Sequence, residues 1–266
     1  MATRAKYQIE IWGTILYIEV ASTTINRAAI DAAIEDVKMF VHRVDELFST
    51  YKADSVVSRL RRGEVSIEDA PAEVQEVWAA CLAARELSEG AFDPWAVKGG
   101  FDPSGYVKGW AADKCADILV AAGCQHVQVN AAGDLTLRGG LLNASGEVEP
   151  WRIGVVNPEN TQEVLRVFEI TNGAIATSGT YERGAHIVDP HSGLIAIGAR
   201  SATVLGPDGG LTDALATALM VTGDDGAGLF GQPELSGYSA WCIDRHGGGA
   251  WGVGPALAGE IEAQQG

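Results

Sequence analysis

VQVNAAGDLTLRG, residues 127–139, alternates apolar and polar positions on either side of a small turn that contains glycine. This is the pattern of strand, tight turn, strand, and a hairpin commits its two strands to antiparallel pairing. Residues 7–20 repeat it: Ile9, Ile11, Ile15 and Ile18 flank Gly13-Thr14, which predicts a second hairpin. WRIGVV (151–156), VLRVFEI (164–170), AIATS (174–178), SATVLG (201–206) and YSAWCID (238–244) read as further strands, and HIVDPHSG (186–193) as a short strand entering a Pro/Gly turn. Helical spacing appears between them. Ile30, Ile34, Val37, Val41, Val44 and Phe48 form one stripe, predicting a helix over 26–48 with Thr24 as its N-cap. Pro71 opens a helix over 71–88 that Gly90 ends, and 109–122 and 211–221 are helical as well. FSTYKADSVVSRL (48–60) is loop-like. GAFDPWAVKGGFDPSGYVKGW (90–110) is too rich in Gly and Pro for regular structure throughout, and it repeats Phe-Asp-Pro. Hairpins mixed with helices favour an α+β fold over a doubly wound parallel sheet. No low-complexity linker divides the chain, so residues 1–266 read as one unit, with a frayed tail after Leu257.

Charge narrows the function. The formal net charge of −16 is the reverse of a nucleic-acid footprint and opposes adsorption to an anionic membrane. Phosphate binding would then have to be local, through backbone N–H groups, a few cations or a metal. The four cysteines, Cys81, Cys115, Cys124 and Cys242, form no C-x-x-C pair, which argues for buried thiols in a reducing compartment. The first twenty residues lack the basic-then-apolar design of an export signal, and no segment is long enough to span a bilayer. The expectation is a cytoplasmic protein.

Several segments carry chemistry. Asp213 and Thr217 are four apart on a helix and share a face; a carboxylate plus a hydroxyl is hard-oxygen chemistry suited to Mg2+. An acidic residue near a helix N-terminus is also explained by the helix dipole, and spacing alone favours that second reading. DPSGYVKG (102–109) runs into a helix, and Lys108 would neutralise a phosphate, pair with a carboxylate or stay solvated. AAGD (131–134) lets a ring approach the backbone, or is only a hairpin turn. TSGTYERG (177–184) offers hydroxyls and N–H groups to a phosphate. His186 ends a strand as a candidate general base, Asp189 begins a turn, and His191 reads as exposed. Walker A, G-x-G-x-x-G, G-x-S-x-G and H-E-x-x-H patterns are missing, so the reaction classes they mark lose support.

The order of these segments is more informative than any one of them. WGT (12–14), FSTYKADSVVSRL (48–60), GAFDP (90–94), DPSGYVKGWAAD (102–113), NAAGD (130–134), ATSGTY (176–181), HIVDPHSG (186–193) and TDALATAL (212–219) together resemble the FAD:protein FMN transferase family, ApbE, from about residue 7 to 253. The resemblance implies an α+β fold with mixed or antiparallel sheets, packed helices and a cleft between subdomains. It implies binding of FAD with Mg2+, transfer of FMN through a phosphoester to a Thr or Ser of an acceptor flavoprotein, and release of AMP. Hydrolysis of FAD to FMN and AMP, or flavin binding without catalysis, are the alternatives. By position, Asp213, Thr217 and the carbonyl of Gly105 resemble the metal ligands, with Asp213 and His186 carrying catalysis. Trp12, Tyr51, Ala91, Phe92, Asp93, Asp102, Lys108, Ala132, Gly133, Asp134, Ser178, Gly179 and Ile187 resemble the cofactor-binding positions. Two residues depart from the family pattern: Trp12 replaces a methionine, and Ala132 replaces the first glycine of Gly-Gly-Asp.

Overall fold

The computed structural model describes residues 2–179, 187–245 and 249–257. Strands β1 (Thr3–Ile11) and β2 (Thr14–Ser22) form the first hairpin, with Ile11 opposite Thr14. The turn is therefore Trp12-Gly13, one residue earlier than the sequence pattern predicts. Both residues have positive φ, +56° and +70°, the left-handed pair that two-residue hairpins favour because it matches strand twist. Helix α1 (Arg27–Phe48) buries the predicted stripe. Its cap is Asn26, whose side chain accepts from Ala29 N at 3.0 Å, not Thr24, whose hydroxyl is engaged with Ser22. The stretch expected as loop contains helix α2 (Val56–Arg61), capped by Ser55 and anchored by buried Val57. Helix α3 (Ala72–Leu87) ends before Glu89 and Gly90, both at positive φ.

Helix α4 (Ser104–Ala121) begins five residues before the predicted 109. Pro103 and Asp102 start it, the Asp102 carboxylate accepting from Ser104 N at 3.1 Å. Gly105 and Gly109 obscure this start because glycine is a poor helix former. They are there for packing: a Cβ at Gly109 would collide with the Gly209 carbonyl of helix α5. Next come β3 (His126–Ala131) and β4 (Asp134–Arg138), the hairpin expected at 127–139, turned by Ala132 and Gly133 at φ +56° and +99°. Short β5 (Leu141–Leu142) and β6 (Val148–Glu149) pair, as do β7 (Trp151–Asn157) and β8 (Asn160–Ile170). Then follow β9 (Gly173–Gly179), β10 (Ala199–Gly206), α5 (Gly209–Thr222), β11 (Ser239–Asp244) and β12 (Ala250–Val253). The strand expected at 186–193 reduces, among its described residues, to one bridge between Val188 and Ile195. Pro190 lacks an N–H, and Asp189 closes a turn by accepting from His191 N and Ser192 Oγ.

The main sheet has the order β1-β2-β3-β4-β9-β10-β11-β12, antiparallel throughout, so the α+β expectation holds. One face is covered by helices: α1 and α4 over β1 to β3, α5 over β9 to β11. The other face packs Leu137, Ile175, Leu205 and Trp241 against Trp151, Val155 and Phe168 of the β7–β8 hairpin. Period-2 alternation therefore decides chemistry: it turns Leu137 to the hairpin layer and Thr136 to the helices, where its hydroxyl meets Asp113 of α4.

Candidate active site

The same alternation puts Asp134 on the helix-facing side, at the first position of β4, where it is 4% exposed. Asp213, in the second turn of α5, is 2% exposed. Between them lies Lys108 of α4. Its Nζ donates to Asp213 Oδ2 at 3.0 Å and also to Asp134 Oδ2. Burial by itself would lower the lysine pKa. The two carboxylates outweigh it and hold the ammonium charged, well above its ordinary value. Two carboxylates face one ammonium, whose side chain is 25% exposed, and such an acidic surrounding suits a cation.

Oxygen donors gather one turn away. Thr217 follows Asp213 on the same face of α5, and Ser178 Oγ of β9 lies 3.5 Å from Thr217 Oγ1. Gly105 abuts them: a Cβ there would sit 3.1 Å from Thr217 Oγ1 and 3.3 Å from Phe92 Cε2. Its backbone, φ −86° and ψ 18°, departs from the helix, so its carbonyl is tilted off the axis. Carboxylate, hydroxyl and carbonyl are the hard ligands Mg2+ takes. Among the described residues no cluster of three or more His, Cys, Asp or Glu is arranged for a metal. A magnesium site with a single carboxylate, completed by water and phosphate oxygens, agrees with that donor set.

Two cavities meet at the triad. The inner one, about 200 Å³, is lined by Ala91, Phe92, Asp93, Asp102, Gly105, Lys108, Ala132, Asp134, Ser178, Gly179, Ile187, Asp213 and Thr217, among others. The outer one, about 640 Å³, is lined by Trp12, Tyr51 and Lys52 over an apolar floor of Val44, Phe48 and Val107. Ser104 and Lys108 line both, so the two form one bipartite cleft with the ammonium at its waist.

The structure thus brings together nearly all residues singled out in the sequence. Gly133 is the exception among described positions: it lies in the adjoining turn, its N–H bound to Asn130 Oδ1 at 2.9 Å. His186 and the end of the 177–184 loop lie outside the described residues. Asp93 and Asp102 are already engaged, Asp93 with Arg85 at 2.8 Å and Trp95 N, Asp102 with Ser104. They brace the 90–103 segment, whose aromatics Trp95 and Phe101 stack on each other and meet Trp78 edge-on and tilted, respectively. Tyr51 is 97% exposed, at the rim. Sequence reasoning does not single out Ser104 or Lys52, which also line the cleft, and it reaches Thr177 only as the first residue of the 177–184 segment. For Ser104 a signal existed, a hydroxyl opening a helix directly after Asp-Pro.

A family model described as the ApbE family matches residues 5–98 and 96–238. The chain belongs to the ApbE family. An FAD:protein FMN transferase of Vibrio cholerae is 38% identical over 134 residues, 47% of this chain and 39% of that protein. One from Rhodobacter capsulatus is 35% identical over 132 residues, 47% of this chain and 24% of that protein. The aligned part of this ApbE-family chain therefore spans about two-fifths or less of those relatives' own lengths. Among solved structures, the flavin transferase ApbE from V. cholerae superposes with a TM-score of 0.81 at 23% identity, covering 97% of this chain and 99% of that one. The apo form of the Pseudomonas stutzeri flavinyl transferase ApbE gives 0.79 at 22% identity, covering 97% and 96%. Both likenesses establish the ApbE fold for this chain.

Proposed function

We propose that this protein is a magnesium-dependent FAD:protein FMN transferase that attaches FMN to a Thr or Ser hydroxyl of an acceptor flavoprotein and releases AMP. We take residues 1–266 as one such unit. The observation that carries the reading is a bipartite cleft in which Lys108 lines both compartments while Asp213, Thr217 and Gly105 line the inner one. A dinucleotide needs a compartment for each half and positive charge at the pyrophosphate between them, which a metal held by those three residues would supply. The names of the relatives, FAD:protein FMN transferase, support the same reading.

In this mechanism the acceptor oxygen forms a bond to the FMN phosphorus while the bond from that phosphorus to the bridging oxygen breaks. The bridging oxygen leaves with AMP. Lys108 counters the charge that builds on the departing phosphate. Asp213, Thr217 and the Gly105 carbonyl would hold Mg2+, which when bound supplies Lewis-acid neutralisation of the pyrophosphate. Trp12 and Tyr51 flank one half of the FAD. Ala91, Phe92, Asp93, Asp102, Ala132, Gly133, Asp134, Ser178, Gly179 and Ile187 shape the other half's contacts. His186 is the candidate to receive the acceptor's proton. Phosphoryl transfer depends mainly on alignment, so a strong base is not required. Four cysteines that stay unpaired support a reducing, cytoplasmic setting. Among the described residues no helix is long and apolar enough to cross a membrane.

The test is intact-mass analysis of candidate flavoproteins co-expressed with this protein, with AMP measured alongside. The expected result is an added FMN and one AMP per transfer. Rapid AMP release with FAD and magnesium but no acceptor would replace transfer with hydrolysis. FAD binding without AMP would leave only a flavin-binding protein.

A further inference from the structure

Asp113 touches neither cavity, yet its carboxylate contacts two of the elements that build the cleft while standing on the third. It lies on α4, the helix of Gly105 and Lys108. Oδ1 accepts from Thr136 Oγ1 of β4 at 2.7 Å and from Arg138 Nη2 at 3.2 Å. Oδ2 accepts from the backbone N–H of Gly209, the first residue of α5, at 2.6 Å. Each contact lies one structural repeat from a triad member. Thr136 is two residues beyond Asp134, on the same face of β4; Gly209 is one helical turn before Asp213. The N–H of Gly209 is an orphan donor of a helix N-terminus, and Asp208 caps a different one, Leu211 N. The two caps are not redundant, because of these two residues Asp113 is the one that ties α5 to α4 and β4.

We infer that Asp113 is a positioning residue for the transfer reaction: its carboxylate sets the spacing of Lys108, Asp134 and Asp213 by clamping α4, β4 and α5 together. A carboxylate serves where an amide would not. All three partners are donors, and an asparagine would turn its own NH2 toward one of them. The clamp complements the close backbone approach of Gly109 and Gly209, which lets the two helices meet.

The inference rests on the transferase reading for its kinetic arm only. In Asp113→Asn, kcat should fall about tenfold or more while KM for FAD stays within about threefold, since misalignment acts on the transition state more than on binding. Thr136→Val should lower kcat in the same direction, and Thr136→Ser, which keeps the hydroxyl, should restore it. The second arm needs no activity. Lys108→Met should shift Tm by at most half as much in the Asp113→Asn background as in the unsubstituted protein, because the triad it disrupts is already loosened. Lys108 and Asp113 share no hydrogen-bond partner among the contacts described, and without such a link substitutions are close to additive. If Asp113→Asn does not fold, Thr136→Val takes its place in both arms. Additive Tm shifts, or an unchanged kcat in folded Asp113→Asn, would overturn the inference. Absence of FMN transfer by the unsubstituted protein would instead overturn the transferase reading, leaving the Tm cycle to decide the clamp.

Discussion

Replacing Lys108 by methionine removes a positive charge that the structure places between Asp134 and Asp213. The methionine occupies similar volume, so the change is chiefly electrostatic. Both carboxylates are almost fully buried, at 4% and 2% exposure, and Asp213 accepts directly from the ammonium at 3.0 Å. Breaking a fully buried ion pair by deleting one partner costs about 3–5 kcal/mol; the Lys108 side chain is 25% exposed, which places this pair at the lower end of that range. In a domain of this size each kcal/mol corresponds to roughly 2–4 °C, so Tm should fall by roughly 6–12 °C. Differential scanning calorimetry without divalent ions measures it. Adding Asp134→Asn to Lys108→Met should recover part of the loss, since one of the two facing charges is gone. Millimolar magnesium should stabilise Lys108→Met more than the unsubstituted protein, because a divalent ion on Asp213 takes over the lysine's compensation. A Tm within about 2 °C of the parent would mean that the carboxylates are hydrated, and the argument for a buried, cation-seeking triad would fail.

Asp213→Asn keeps the shape of the site but removes the charge proposed to hold the metal; FMN transfer should fall on the order of 10²-fold or more and lose its dependence on magnesium concentration, read by AMP release. Gly109→Ala drives a methyl group into the Gly209 carbonyl, so α4 and α5 must separate. A loss of at least about 1–3 kcal/mol in chemical denaturation, with most of the activity, is expected. Ala132→Gly relieves a left-handed residue at φ +56°, a conformation costing an alanine about 1–2 kcal/mol. Part of that gain is offset by glycine entropy, so Tm should rise by a few degrees at most, and a fall would contradict the strain. Glu76 accepts from Trp110 Nε1 at 3.0 Å and Lys114 Nζ at 2.9 Å. Burial pushes its pKa up, but these donors hold it below its ordinary value. Its contribution is therefore present above the unfolded carboxylate pKa and lost as pH falls through the lower folded one. Glu76→Gln should flatten that acid limb of stability against pH.

Much of the fold is legible in order along the chain. The stripe from Ile30 to Phe48 and the hairpin of 127–139 follow from spacing within one element, and both appear where that spacing puts them. The boundaries misread in the sequence are those where tertiary contacts override local preference. Thr24 has the chemistry of a cap, but its hydroxyl is taken by Ser22, and Asn26 caps α1. Gly105 and Gly109 look like helix breakers until the backbone of α5 is seen against them.

The site divides the same way. That Asp213 and Thr217 share a face was determined by the sequence alone, because a four-residue step on a helix allows little else. The ordered motifs likewise carried the family without any coordinates. Spacing could not decide what Lys108 does, since solvated charge, phosphate ligand and carboxylate partner all suit a lysine near a helix start. The tertiary structure decided it by bringing α4, β4 and α5 together and burying Asp134 and Asp213, which puts the ammonium in direct contact with both carboxylates. The reason is range: periodicity acts over a few residues, whereas these three groups meet only when a central strand of the sheet and two helices pack.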